Sequence, residues 1–250
     1  MPQYSAEALV LRTYALGESD RIVAFLTRDR GKRRGVARGA QRSRKRFGGA
    51  LEPLTLARVT YHEREQRDLV RLEEAAVLQS PLAAPGAAAL LCVEYFADLL
   101  DRWAPEADPN ERLFRLGVAT LGAVVAGAPA ASLARYFEHW LLRLQGVGPS
   151  LLACQRCGGA LGAQGAWLSR PELVLLCRGC RPSAGAPDLS PAAVGFLSAA
   201  RGLPPERLGE IALPEEAERE LERVHRQLIA VHLDRELLSG RVLRAVVPGA

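Results

Sequence analysis

The sequence predicts a multidomain α+β protein, with an N-terminal five-stranded OB-type β-barrel followed by an α-helical bundle that carries a four-cysteine insertion. Three observations predict it. The first eighty residues alternate like strands, the period changes to helical from Pro85 onward, and four of the five cysteines form two close pairs late in the chain. The expected domains are residues 1–80 for the barrel, 81–150 with 186–250 for the helical part, and 151–185 for the insertion.

Five β-rich segments are expected at Ala8–Tyr14, Arg21–Thr27, Gly35–Ala40, Leu54–His62 and Leu69–Leu78. Turn signals separate them at Gly17-Glu18-Ser19-Asp20, Asp29-Arg30-Gly31 and Gly48-Gly49. Short strands at this density close into a Greek-key barrel of the OB type. An SH3-like barrel satisfies strand counting as well. Arg64 and Arg67, flanking Glu65, are expected at a polar hairpin tip.

Helices are expected at Ala87–Trp103, Asn110–Ala126 and Ala130–Gln145, separated by Pro105, Pro109 and Pro129. Ser190-Pro191 offers a cap followed by proline at the first helical position. A last helix is expected from about Pro214 to Ser239, stopping at Gly240, with Leu221, Val224, Leu228, Val231 and Leu238 as its apolar stripe. Cys92 falls in an apolar helical run and is expected in a core.

Cys154-Gln155-Arg156-Cys157 and Cys177-Arg178-Gly179-Cys180 are CxxC knuckles separated by nineteen residues. Two thiolates on each tight turn can fill two corners of a tetrahedron, which is the spacing of a four-cysteine zinc site. Trp167–Ser169 and Leu173–Leu176 are expected as the strands of the intervening hairpin. Four thiolates leave no open position for water, so the expected Zn2+ is structural.

The charge is concentrated. Residues 28–46 hold ten Lys or Arg against one acid, Asp29, so this segment carries +9 in a chain whose net charge is +5, and the remainder sums to −4. Charge packed this way attracts a polyanion, because each neutralised phosphate releases condensed counterions. The candidate contacts are Lys32, Arg33 and Arg34 where the third strand starts and Arg38 near its end, with Arg42, Arg44, Lys45 and Arg46 in a flexible loop before the next strand. Tyr14, Phe25, Phe47 and Tyr61 lie near these cations in sequence. Each is expected first as core, and Phe47 is the foremost candidate for a base-stacking platform.

Other function classes are disfavoured. There is no GxxxxGK[ST] loop and no HExxH, and His62, His139, His225 and His232 form no ligand pattern, so no enzyme and no small-molecule substrate are expected. No apolar run reaches the ~20 residues of a membrane span, and the N-terminus carries no export signal, so a cytoplasmic protein is expected.

The order of a five-strand domain, basic third strand and loop, helical domain and inserted knuckles resembles the RecO family of bacterial recombinational DNA-repair proteins. The specific echoes are Gly17-Glu18-Ser19-Asp20, Gly31, Ala37-Arg38-Gly39-Ala40, the Arg/Lys/Ser loop running to Leu51-Glu52-Pro53, and Cys154–Cys157-Gly158 with Cys177–Cys180. The cysteines are similar to those of its zinc-carrying branch, although Pro171–Leu176 lacks the glycine pair often found before the second knuckle. The resemblance implies a non-catalytic mediator that binds single- and double-stranded DNA and anneals complementary strands. With RecR, such a protein helps RecA displace single-strand-binding protein. It also implies that the eight cations above contact DNA and that the four knuckle cysteines hold zinc. The reading from a different class is an RNA-binding module of translation or transcription, where OB domains and zinc ribbons also occur.

Overall fold

The first strand, β1 (Gln3–Leu16), is long enough to serve two partners. Its first half pairs with β4 (Leu56–His62) and its second half with β2 (Asp20–Thr27). An irregularity between Val10 and Arg12 bends the strand at the changeover. With β3 (Gly31–Ala37) and β5 (Leu69–Gln79) the sheet closes in the order β1-β2-β3-β5-β4. Every pair is antiparallel except β3 with β5. This is the OB-type barrel, and the parallel closure separates it from a simple meander. The computed structural model describes residues 2–63, 69–150, 153–162, 164–170, 172–181, 185–233 and 237–246, so the expected tip at Arg64, Glu65 and Arg67 lies outside the described residues.

By compactness the chain divides into Met1–Ala126 and Gly127–Ala250. The sequence expectation placed a boundary at the change of period near residue 80. Here α2 (Ala87–Trp103) and α3 (Glu111–Val125) belong with the barrel, because they cover part of its outer face. Val10, Val23, Phe25, Ala37, Val59 and Leu72 point into the barrel, while the alternate residues Leu9, Leu11 and Leu26 are buried outside it. Gly117 lets α3 come close to β1, since a Cβ there would strike Leu9. Asn110 caps α3 by accepting the Leu113 N–H.

In the second unit α4 (Ala130–Leu144) and α6 (Glu215–Leu233) pack together, with α5 (Pro191–Ala200) beside both. Ser190 caps α5, with Pro191 at its first position, as the sequence signals. The last helix is broken. Residues 238–246 form a separate α7 (Leu238–Val246), so Gly240 lies inside a helix and does not end one. A glycine there costs about 1 kcal/mol of helix propensity, which the burial of Leu237 and Leu243 outweighs.

Between α4 and α6 the core is ionic. Arg135 on α4 pairs with Glu138 at 2.9 Å and with Glu218 of α6 at 3.5 Å, and Glu138 also meets His225 Nδ1 at 2.9 Å. His139 stacks on His225, and its own Nε2 is buried without a hydrogen-bond partner among the described residues. Burial, then the neighbouring His225, Arg143 and Arg201, hold the His139 pKa down at about 3 against an ordinary 6.5. The folded chain therefore refuses a proton that the unfolded chain accepts below pH 6.5, and stability drains away as pH falls towards 3. His139→Gln, which cannot titrate, should flatten that acid limb in urea unfolding measured between pH 7 and pH 4, with little change at the upper end.

Candidate nucleic-acid interface and metal centre

The segment after β3 is built on two turns locked to each other. The Asp20 carboxylate accepts the Gly39 N–H at 2.8 Å, and the Gln41 N–H donates to the Ser19 carbonyl at 3.1 Å. Gly39 has a positive φ of 64°, which favours glycine. Ser43 then leads into a single helical turn, α1 (Arg44–Phe47), whose Phe47 side chain drops into the barrel core at 3% exposure. The loop expected to be flexible is thus pinned at both ends, and Phe47 is its anchor and not a platform. Phe25 and Tyr61 are also fully buried, while Tyr14 is 46% exposed.

The basic residues sort into two groups. Lys32 is only 6% exposed, because the connection between α2 and α3 crosses the start of β3. Its Nζ donates to the Asp101 carbonyl at 2.5 Å and lies near the carboxylates of Asp101 and Glu106, at 3.5 and 3.4 Å. Lys32 therefore ties the barrel to that connection and is not a surface contact. Arg34 pairs with Glu106 at 3.1 Å, and Arg33 with Glu63 at 3.2 Å.

Arg38, Arg42, Arg44 and Lys45 are exposed and, among the described residues, carry no ion pair. Arg46 is half-buried. It donates to the Arg38 carbonyl at 2.7 Å and to Ser43 Oγ at 3.1 Å, with its guanidinium 5.0 Å from the Phe47 ring centre. These bonds brace the loop while leaving its positive charge unneutralised.

The knuckles fold as two turns beside a hairpin of β6 (Trp167–Ser169) and β7 (Val174–Leu176). The Cys154 N–H donates to the Gly159 carbonyl at 2.7 Å, the Cys180 N–H to the Cys177 carbonyl at 3.0 Å, and the Gln155 N–H to Leu175 at 3.2 Å. The sulfurs of Cys154, Cys157, Cys177 and Cys180 all lie within 4.8 Å of one another. A tetrahedral ion with metal–sulfur bonds of about 2.3 Å requires sulfurs about 3.8 Å apart, and Cys157 and Cys177 are separated by 3.7 Å. The four residues fit a metal ion.

Their protonation is in conflict without one. Burial would push the Cys154 thiol up, but the backbone N–H groups of Cys177, Cys157 and Arg156 outweigh it and bring it down to about 6. Cys180, hydrogen-bonded first to Cys157, is pushed up to about 12. A dication stabilises all four as thiolates at once.

Comparison with known proteins agrees with this architecture. Residues 1–81 match the family described as Recombination protein O N terminal, and residues 87–241 match Recombination protein O C terminal. This chain belongs to the RecO family. It is 38% identical to the DNA repair protein RecO of Anaeromyxobacter sp. (strain K) over 99% of this chain and 98% of the relative. It is also 38% identical to that of Geobacter sulfurreducens, over 97% and 98%. The DNA repair protein RecO of Koribacter versatilis is 46% identical over 62% of this chain, a match that spans 64% of the relative's length.

Within this RecO-family chain, the resemblance motifs acquire physical roles. Gly17–Asp20 and Ala37–Ala40 hold each other through the Asp20–Gly39 bond. Gly31, at a φ of 65°, lies against the Asp108 backbone, where a Cβ would clash. Glu63, Asp101 and Glu106 neutralise cations of the basic segment from outside it, so the segment's own sequence carries no sign of them. No described helix is long and apolar enough to cross a membrane. Because Phe47 seats the loop, Phe47→Ala should lower the unfolding free energy by about 3 kcal/mol in urea titration, and Phe47→Leu by clearly less.

Proposed function

We propose that this chain is a non-catalytic DNA-binding mediator of recombinational repair that anneals complementary single strands without reading their sequence. With RecR, it promotes RecA loading on DNA coated by single-strand-binding protein, in the bacterial cytoplasm. The observation that carries the reading is the set of cations without an ion pair among the described residues, Arg38, Arg42, Arg44 and Lys45, on a loop braced by Asp20, Arg46 and Phe47. Membership of a family whose relatives are named DNA repair protein RecO supports it.

The chemistry needed is modest. Two complementary strands repel each other, and cations aimed at phosphate lower that repulsion while leaving bases free to search for register. Phosphate contacts position a strand without specifying its sequence. Lys32, Arg33 and Arg34 add little to this surface, because Asp101, Glu106 and Glu63 already occupy them. Four or five phosphate contacts give a slope of log K against log salt of about −3 to −3.5 on single strands.

The four knuckle cysteines would hold Zn2+ in a closed structural site. Bound zinc supplies charge compensation for four thiolates, and the chain's own part is to set the two turns and the hairpin between them. Arg156 helps by donating to the Cys180 carbonyl at 3.0 Å.

Two measurements test these readings. In an ATP-free annealing assay on strands coated with single-strand-binding protein, the wild type should outpace protein-free DNA. The Arg42→Glu/Arg44→Glu/Lys45→Glu variant should fall to the uncatalysed rate. A wild-type rate no faster than protein-free DNA would refute the mediator reading. For the metal, purified protein should contain about one zinc per chain, and Cys154→Ser should lose it together with thermal stability while retaining salt-dependent DNA binding.

A further inference from the structure

The register of the barrel places one exposed aromatic among the cations. Tyr14 pairs with Ile22 across β1 and β2, and Ile22 pairs with Val36 across β2 and β3. Directly paired residues share a face, and the neighbouring positions Val23 and Ala37 point into the core, so Tyr14, Ile22 and Val36 form one row on the outside. Tyr14 is exposed, and Ile22 and Val36 are half-buried. Arg34 precedes the row on β3, and Arg38 follows it in the exposed turn just beyond the strand. The hairpin turn next to Tyr14 is the one bound to the basic loop through Asp20–Gly39 and Ser19–Gln41.

Arg12, two residues before Tyr14 on the same strand, is fixed by Asp98 and Asp101 of α2. A tyrosine carries a large rigid ring on two side-chain torsions, so it loses little conformational entropy when a flat partner covers it. Core packing does not explain an aromatic left 46% exposed. Phosphate binding alone does not explain it either, since a neutral ring contributes no charge.

We propose that Tyr14, supported by Ile22 and Val36, is a stacking platform for unpaired bases of a DNA strand whose phosphates lie on Arg38, Arg42, Arg44 and Lys45. The occupant follows from charge complementarity: an apolar row beside unneutralised cations matches a polyanion that offers flat apolar faces. Duplex DNA presents the phosphates but keeps its base faces stacked inside. The platform therefore sets a preference for single strands over duplex, which loop charge by itself does not give. This inference rests on the DNA-binding reading and names the residue through which the same face would tell the two forms apart.

The test is fluorescence anisotropy with labelled oligothymidylate of about 16 nucleotides and a duplex of equal length, across a salt series. Tyr14→Ala in the full chain should weaken single-strand binding about five- to one-hundred-fold, as expected for loss of one base stack. Duplex affinity and the salt slope should stay at wild-type values, and Tyr14→Phe should keep the single-strand affinity. A Tyr14→Ala variant that binds the single strand like wild type, or loses both forms equally, overturns the platform while leaving the cation reading intact. A wild type whose binding does not depend on salt overturns the cation reading and the platform with it.

Discussion

Lys32, at the start of β3, is held by Asp101 and Glu106, and this burial fixes where the connection between α2 and α3 crosses the barrel. Breaking one partner of such a group leaves an uncompensated charge out of water, at a cost of several kcal/mol. The crossing brings Glu106 onto Arg34 and buries Gly31 and Lys32 at the start of the strand. Cations ahead of the crossing become structure. Beyond β3, Arg38, Arg42, Arg44 and Lys45 form no ion pair among the described residues, and they keep their field in solvent. The barrel thus divides a continuous run of positive sequence into a clamp and an outward-facing patch.

That patch is useful only if it is positioned. A loose cationic loop would lose side-chain and backbone entropy on meeting a strand, and each residue ordered would subtract from the electrostatic gain. Here the backbone cost is met in folding. Phe47 is sealed in the core, the Asp20 carboxylate holds Gly39, and Arg46 bonds back to Arg38. Arg42, Arg44 and Lys45 then need to order only their own side chains.

Five strands, the helical period, the cap at Ser190 and the cysteine knuckles were legible in the sequence because each depends on residues close together along the chain. Periodicity, capping and ligand spacing are local signals. What escaped depended on distant partners. Lys32 looked exposed because its carboxylates lie about seventy residues away, at Asp101 and Glu106. Phe47, between Arg46 and Gly48, was expected first as core and was also the foremost platform candidate; the barrel core takes it. Tyr14 looked like one more core aromatic, because only the register of β1 on β2, shifted by the irregularity after Val10, decides which face it takes. The break before α7 was hidden for a related reason: buried Leu237 and Leu243 keep Gly240 inside a helix that its propensity would end.

Under the proposed reading, stacking and annealing are compatible on one surface. A base resting on a tyrosine ring offers its π-face to the protein and leaves its hydrogen-bonding edge to solvent, so a complementary strand can test it in place. Once pairing succeeds, stacking within the new duplex competes for the same π-face, and the platform loses its hold. The phosphates remain attracted to the loop, but that attraction is sequence-blind and weakens with salt. An annealing surface of this kind holds the unpaired reactant by two forces and the paired product by one. It therefore favours release of the product without nucleotide hydrolysis, and it needs no group on the barrel that makes or breaks a covalent bond.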